Sequence, residues 1–120
     1  MPSTGHDVGA VAEFDEGVPV RVEVSGRALM IVRQGERFFA LRDRCAHQGA
    51  ALSGGRVGAT TLPCRPGEEM RLGREGQVVT CPWHGWEYDL TSGRTLTHPH
   101  QARVATYSVS LKDDRVFVNL

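Results

Sequence analysis

Hydrophobic and polar residues alternate with a period of two along most of this chain, the spacing of strands that bury one face. Val20, Val22 and Val24 alternate with Arg21 and Glu23, and Ser25-Gly26 then offers a two-residue turn into the apolar run Ala28 to Val32, which predicts a hairpin. Gln34-Gly35 reads as the next turn, leading into Arg37-Phe38-Phe39-Ala40-Leu41. Gln77 to Thr80 and Trp86 to Leu90 read as two further strands, the second ending at the turn Thr91-Ser92-Gly93. Near the C-terminus Ala105, Tyr107, Val109 and Leu111 form one strand face, and Lys112-Asp113-Asp114 turns the chain into Val116-Phe117-Val118. No segment carries the 3.6-residue period of an amphipathic helix. The pattern predicts an all-antiparallel β sandwich or barrel.

Composition narrows the function classes. A chain of 120 residues with 40% hydrophobic content fits one domain, 1–120. Fourteen basic residues balance fourteen acidic ones, so no net field points to nucleic acid or an anionic membrane. The longest apolar run, Ala28-Leu29-Met30-Ile31-Val32, is too short to span a bilayer. MPSTGHDVGAV has neither a basic region followed by an apolar one nor twin arginines, so a cytoplasmic location without membrane attachment is expected. His6 in that segment is expected to be disordered.

The candidate chemistry lies in two separated pairs, Cys45-Ala46-His47 and Cys81-Pro82-Trp83-His84. Each pair mixes one thiol with one imidazole. Two thiolates and two imidazoles satisfy a tetrahedral zinc that would serve only to staple loops. Zinc modules, however, usually place their cysteines together and their histidines together, and here each pair is mixed. Gly49, Pro82 and Gly85 flank the pairs, as needed where backbone wraps closely around a bulky group.

In full, the two segments read CAHQGAAL and CPWHGWEYDLTSGR, and they resemble the two cluster-binding loops of Rieske proteins, in particular the small Rieske ferredoxins. The resemblance implies one Rieske-type 2Fe-2S cluster, with Cys45 and Cys81 on one iron and His47 and His84 on the other. It also implies a base of packed antiparallel sheets and a small two-loop cluster-binding subdomain, here about 44–99. Gln48, Gly49, Trp83, Gly85, Trp86 and Tyr88 would surround the cluster, with the Tyr88 hydroxyl donating to Cys81 and Pro99 shielding it from a third loop. Two ferric ions, two sulfides and two thiolates sum to zero formal charge, which eases reduction, and potentials in this class span about −150 to +300 mV.

High-potential respiratory Rieske proteins add a cysteine to each loop and a serine that donates to a sulfide. Ala50, Trp83 and Trp86 stand at those positions, so a low-potential centre is expected. The second ring nitrogens of His47 and His84 would couple proton uptake to reduction. The resemblance further implies an electron carrier between a flavoprotein reductase and a terminal oxygenase. The chain is not expected to be the oxygenase itself, because no second metal site of two histidines and a carboxylate is present. A Rieske-like small subunit of a larger reductase, such as nitrite reductase, is the alternative, and a structural zinc-binding interaction module the third.

The stretch between His47 and Cys81 is longer than usual in such ferredoxins, an insertion placed at about 56–76. From its end Met70-Arg71-Leu72 is expected to pair with Gln77-Val78-Val79 across Gly73-Arg74-Glu75-Gly76, as a surface excursion, with a partner-specific docking element as the alternative. Cys64 is expected to be a bystander, and His98 and His100 solvated residues. Asp43, Arg44, Glu87 and Asp89 are expected to be rim charges on a solvated face.

Overall fold

The structure is a computed structural model, and it describes residues 5–45, 50–61, 72–82, 86–96 and 103–120. Among these residues nine strands follow in order: β1 (Gly5–Ala10), β2 (Val20–Val24), β3 (Arg27–Gln34), β4 (Arg37–Arg42), β5 (Arg56–Thr61), β6 (Leu72–Thr80), β7 (Glu87–Asp89), β8 (Thr106–Lys112) and β9 (Arg115–Asn119). Among the described residues the only helical elements are two short 3-10 turns, Val11–Glu13 and Leu52–Gly54. The strands form a six-stranded sheet, ordered β1-β9-β8-β4-β3-β2, and a three-stranded sheet, β5-β6-β7, with every pairing antiparallel. The edge strands β1 and β2 approach within 8 Å between Cα atoms, so the larger sheet nearly closes on itself. The all-β expectation holds.

Local turn chemistry sets the hairpins. Ser25 and Gly26 both adopt positive φ (50° and 76°), the primed turn that suits the twist of β2 and β3. Asp113 and Asp114 do the same (52° and 60°) between β8 and β9. The turn between β3 and β4 is Gly35-Glu36, one residue later than expected, because Gln34 still pairs with Arg37.

The run Leu29 to Val32 on β3 is wholly buried because the strand faces two cores. Leu29 and Ile31 point into the closed side with Phe14, Val24, Ala40, Val116 and Val118. Met30 and Val32 point the other way, with Phe39, Leu41 and Leu52, toward Val79, Tyr88 and the two cysteines. A strand covered on both sides loses its alternation and reads as a continuous apolar run.

Two further sequence expectations are corrected. His6 is ordered in β1, opposite Val118. That strand carries no alternating signal because its register shifts between Asp7 and Gly9, where Gly9 takes φ 137°. The hairpin across Gly73 to Gly76 does not form. Those residues belong to β6, whose partner is β5, with Gly58 opposite Val78 and Thr60 opposite Gly73. The intervening residues of β6 make a bulge at which Gly76 takes φ 73°. A side chain at Gly76 would crowd the Gln34 carboxamide, its Cβ lying 3.1 Å from Nε2, so the bulge rests against the end of β3. Met70, Arg71 and Cys64 lie outside the described residues.

Arg115 ties the outer strands together, its Nε and Nη2 donating to the two carboxylate oxygens of Asp7 at 2.6 and 3.0 Å. That hydrogen bond holds the Asp7 carboxyl below the usual carboxylate range. Its stabilisation is therefore present above the unfolded pKa and lost as pH falls through the lower folded one. Both side chains are about half exposed, so the effect is small. Asp7→Asn should be less stable than wild type to urea near neutral pH, with the gap closing below the ordinary carboxylate pKa of about 4.

Candidate metal centre

Strand β4 ends at Arg42, and its chain continues through Asp43 and Arg44 to Cys45; β6 ends at Thr80 and delivers Cys81 directly. The two cysteines emerge from different sheets and meet in one buried apolar cluster with Leu41, Leu52, Val79, Tyr88 and Leu90. They are 2% and 1% exposed, and neither is in a disulfide.

Each loop is closed by the same kind of main-chain bond. The Cys45 amide donates to the Ala50 carbonyl at 2.7 Å, and the Cys81 amide donates to the Trp86 carbonyl at 2.7 Å. In both, a cysteine amide reaches five residues ahead, so each loop returns upon its own first residue. The His47 and His84 positions fall inside these two closures by sequence.

The chain leaving the first loop is anchored by a carboxylate. Asp43 Oδ1 accepts from the Ser53 amide at 2.7 Å, and Oδ2 accepts from the Ser53 hydroxyl at 2.6 Å and from Arg21 Nη1 at 3.1 Å. Its own amide donates to the Ala28 carbonyl at 2.9 Å. Asp43 is thus buried, at 4% exposure, and is a structural clamp rather than the expected rim charge. Asp89 is corrected in the same way. It is buried, and its Oδ1 accepts from the Thr91 and Ser92 amides at 2.7 and 3.3 Å, an Asx-type turn that starts the reversal after β7. Arg44 is exposed and Glu87 partly so.

Tyr88 is wholly buried, and its hydroxyl lies 3.3 Å from the Cys45 sulfur. The resemblance pointed to Cys81; the bond described here goes to the first-loop cysteine. Tyr88 pairs with Val79 across β6 and β7, two residues before Cys81, and its ring extends inward to the opposite loop. To a thiolate only the hydroxyl can donate, which stabilises negative charge on sulfur. Trp86 is partly buried against the same cluster.

Of the site residues expected from sequence, Cys45, Cys81, Trp86 and Tyr88 come together. His47, Gln48, Gly49, Trp83, His84, Gly85 and Pro99 lie outside the described residues, as do His98 and His100. Among the described residues no group of three or more ligand-type side chains converges, and both histidines are outside that set. The donors that are described fit a soft metal or metal-sulfur group: two buried sulfurs in an apolar wall with a hydroxyl directed at one of them. Sequence reading missed Ser53 and Gly55. A side chain on Gly55 would run into the Thr80 carbonyl, so the first-loop exit crosses the residue preceding Cys81 at main-chain contact. The doubled glycine Gly54-Gly55 was its only signal.

An antiparallel scaffold that holds two cysteines on separate closed loops, beside a tyrosine hydroxyl, defines a class of proteins carrying a metal-sulfur centre between loops. The chain belongs to the Rieske 2Fe-2S domain family, which matches residues 5–108, and the cofactor of that family is one Rieske-type 2Fe-2S cluster. It is 27% identical to the ferredoxin component of the naphthalene 1,2-dioxygenase system of Pseudomonas aeruginosa, covering 95% of this chain and 93% of that one. It is 32% identical to a methylxanthine N1-demethylase of Pseudomonas putida, but the 96% of this chain that aligns spans only 31% of the demethylase. The ferredoxin of carbazole 1,9a-dioxygenase from Nocardioides aromaticivorans IC177 superposes with a TM-score of 0.79 at 25% identity, covering 97% of both chains.

Removing the hydroxyl that faces Cys45 should lower the reduction potential, since the donor stabilises the reduced, more negative state more. Tyr88→Phe is expected to shift the midpoint down by about 60 mV, equivalent to a tenfold change in a one-electron equilibrium. A redox titration of both proteins measures this.

Proposed function

We propose that this chain is a one-electron carrier in which Cys45 and Cys81 bind one iron of the cluster and His47 and His84 the other, within a cluster-binding subdomain of about 44–99. The observation that carries the reading is the burial of both cysteines in one cluster with the Tyr88 hydroxyl against Cys45. When bound, the cluster accepts and returns a single electron. The chain's own residues do the rest. The two main-chain closures fix the loops, Asp43 fastens the first to the large sheet, Trp86 covers the site from the second, and Tyr88 tunes the sulfur.

The electron donor is proposed to be a flavoprotein reductase and the acceptor a terminal oxygenase, a reading supported by the similarity to the ferredoxin component of the naphthalene 1,2-dioxygenase system. On this reading the chain carries electrons and leaves catalysis to its partner. The absence of a serine donor and of a second cysteine pair supports a low potential. A cytoplasmic setting is proposed for the carrier and its redox partners. No described helix is long and apolar enough to cross a membrane.

The test is iron and zinc analysis on anaerobically purified wild type and Cys81→Ser, with visible and paramagnetic resonance spectra before and after reduction. About two irons in wild type, a Rieske-type signal only on reduction, and loss of both in the variant are expected. One zinc and no colour in wild type would overturn the carrier reading.

A further inference from the structure

The chain is neutral overall, yet its charges are sorted along the strands. At the end where β3 and β4 are joined, Glu36 and the Asp113-Asp114 turn lie around one open groove with Arg33 and Lys112. Glu16 joins them by accepting from the Gly35 amide at 2.9 Å. Acids and bases are interleaved there.

At the opposite end, where β4 delivers Cys45, the balance is lost. Arg42 pairs with Leu29, two residues from Arg27, and its amide donates to the Ala105 carbonyl, two residues from Arg103. Arg103 in turn faces Arg94 across an antiparallel bridge. The segments bearing Arg27, Arg42, Arg44, Arg103 and Arg94 therefore lie side by side, and all five side chains are exposed. Arg21, Arg27, Arg42 and Arg44 line one open depression of about 310 Å³. Its single carboxylate, Asp43, is buried and already engaged by Arg21 and Ser53. None of the five forms an ion pair among the described residues. Glu23 is the exposed carboxylate on the flanking strand, and the sequence places no acid at 46–49, 83–85 or 97–102.

Like charges placed directly opposite in a sheet cost stability, so the Arg94 and Arg103 pairing is unfavourable for the isolated fold. A carboxylate-rich surface laid across it would remove that repulsion, and arginine binds carboxylates through a planar fork suited to an interface.

We propose that this arginine edge, beginning at the residue before Cys45, is the docking surface for a protein redox partner that presents an acidic face. The proposal rests on the electron-carrier reading for its purpose, while the surface itself can be tested separately. Because net charge is zero, attraction to the partner acts only when this edge leads, so the field selects the orientation that brings the first loop to the interface.

The experiment measures binding of the anaerobically purified protein to three probes, acidic-faced cytochrome b5, lysine-ringed cytochrome c and a DNA duplex. Calorimetry is run at about 10 mM and about 150 mM ionic strength, between which the screening length falls from about 30 to 8 Å. Cytochrome b5 should bind at low salt and weaken about tenfold at the higher salt, and Arg27→Glu/Arg103→Glu should weaken it about tenfold at low salt while improving cytochrome c. Arg27→Gln/Arg103→Gln should give a smaller loss in the same direction, and Lys112→Glu, at the other end, no change. Cytochrome b5 binding that ignores both arginine pairs, a preference of wild type for cytochrome c, or a DNA duplex bound as tightly as cytochrome b5 would each overturn the proposal. Iron analysis of every sample separates the two readings: the expected pattern in a chain that takes up no iron would overturn electron carriage and leave the docking surface standing.

Discussion

Asp43→Ala is expected to destabilise the protein by about 3 kcal/mol, since it leaves the Ser53 amide and hydroxyl without their buried charged acceptor. For a chain of this size that is a fall in melting temperature on the order of 10 °C. The Arg21 bond contributes little, because its side chain is 47% exposed while Asp43's is fully covered; Arg21→Ala should cost less than about 1 kcal/mol. The loss is therefore local to the exit of the first loop. Thermal unfolding of the two variants side by side checks the ranking, and equal losses would reassign the role to the ion pair. Iron content of Asp43→Ala should fall with stability, because the strand end it fastens carries Cys45.

A larger effect on the centre is expected from Gly55→Ala. The added methyl would meet the Thr80 carbonyl and come within 3.0 Å of the Thr80 carbonyl carbon and 3.1 Å of the Leu52 oxygen. These are main-chain atoms with no rotamer to yield. Overpacking of this kind costs about 1–3 kcal/mol or more, and relief requires moving Thr80, the residue before Cys81. Less than about half of the wild-type iron should be retained even in protein that stays folded. Gly58→Ala, whose methyl would meet nothing within 4 Å, is the matched control three residues on, within β5, and should keep its iron.

Local signals carried the sequence reading where local chemistry decides the outcome. Ser25-Gly26 and Asp113-Asp114 are turns because their backbone conformations demand such residues, and the Leu29 to Val32 run could be read as buried. That Cys45 and Cys81 belong to one site was legible through the resemblance of the segments that carry them, and the structure buries both in one cluster. What escaped was set by distant partners. Gly73 to Gly76 has the composition of a turn and is a bulge, because β6 continues to pair with β5 beyond it. Asp43 and Asp89 look like surface charges, and only the arrival of Ser53 in one case and the turn amides after β7 in the other makes burial tolerable. The sulfur that Tyr88 meets is decided by the direction its ring takes across the core, which no motif encodes.

Strand β3 gives its two faces to the two cores, with Leu29 and Ile31 on one and Met30 and Val32 on the other. Such a shared wall removes modularity. The loops cannot be grafted onto another barrel as a cassette without the wall behind them, and the barrel trimmed of its loops would present Met30 and Val32 to water. Drift in this strand is correspondingly constrained: a change of volume at any of the four positions is felt in one compartment and transmitted to the other. Diversification among relatives of this chain should therefore gather in the β5 and β6 hairpin and along the arginine edge, and spare β3.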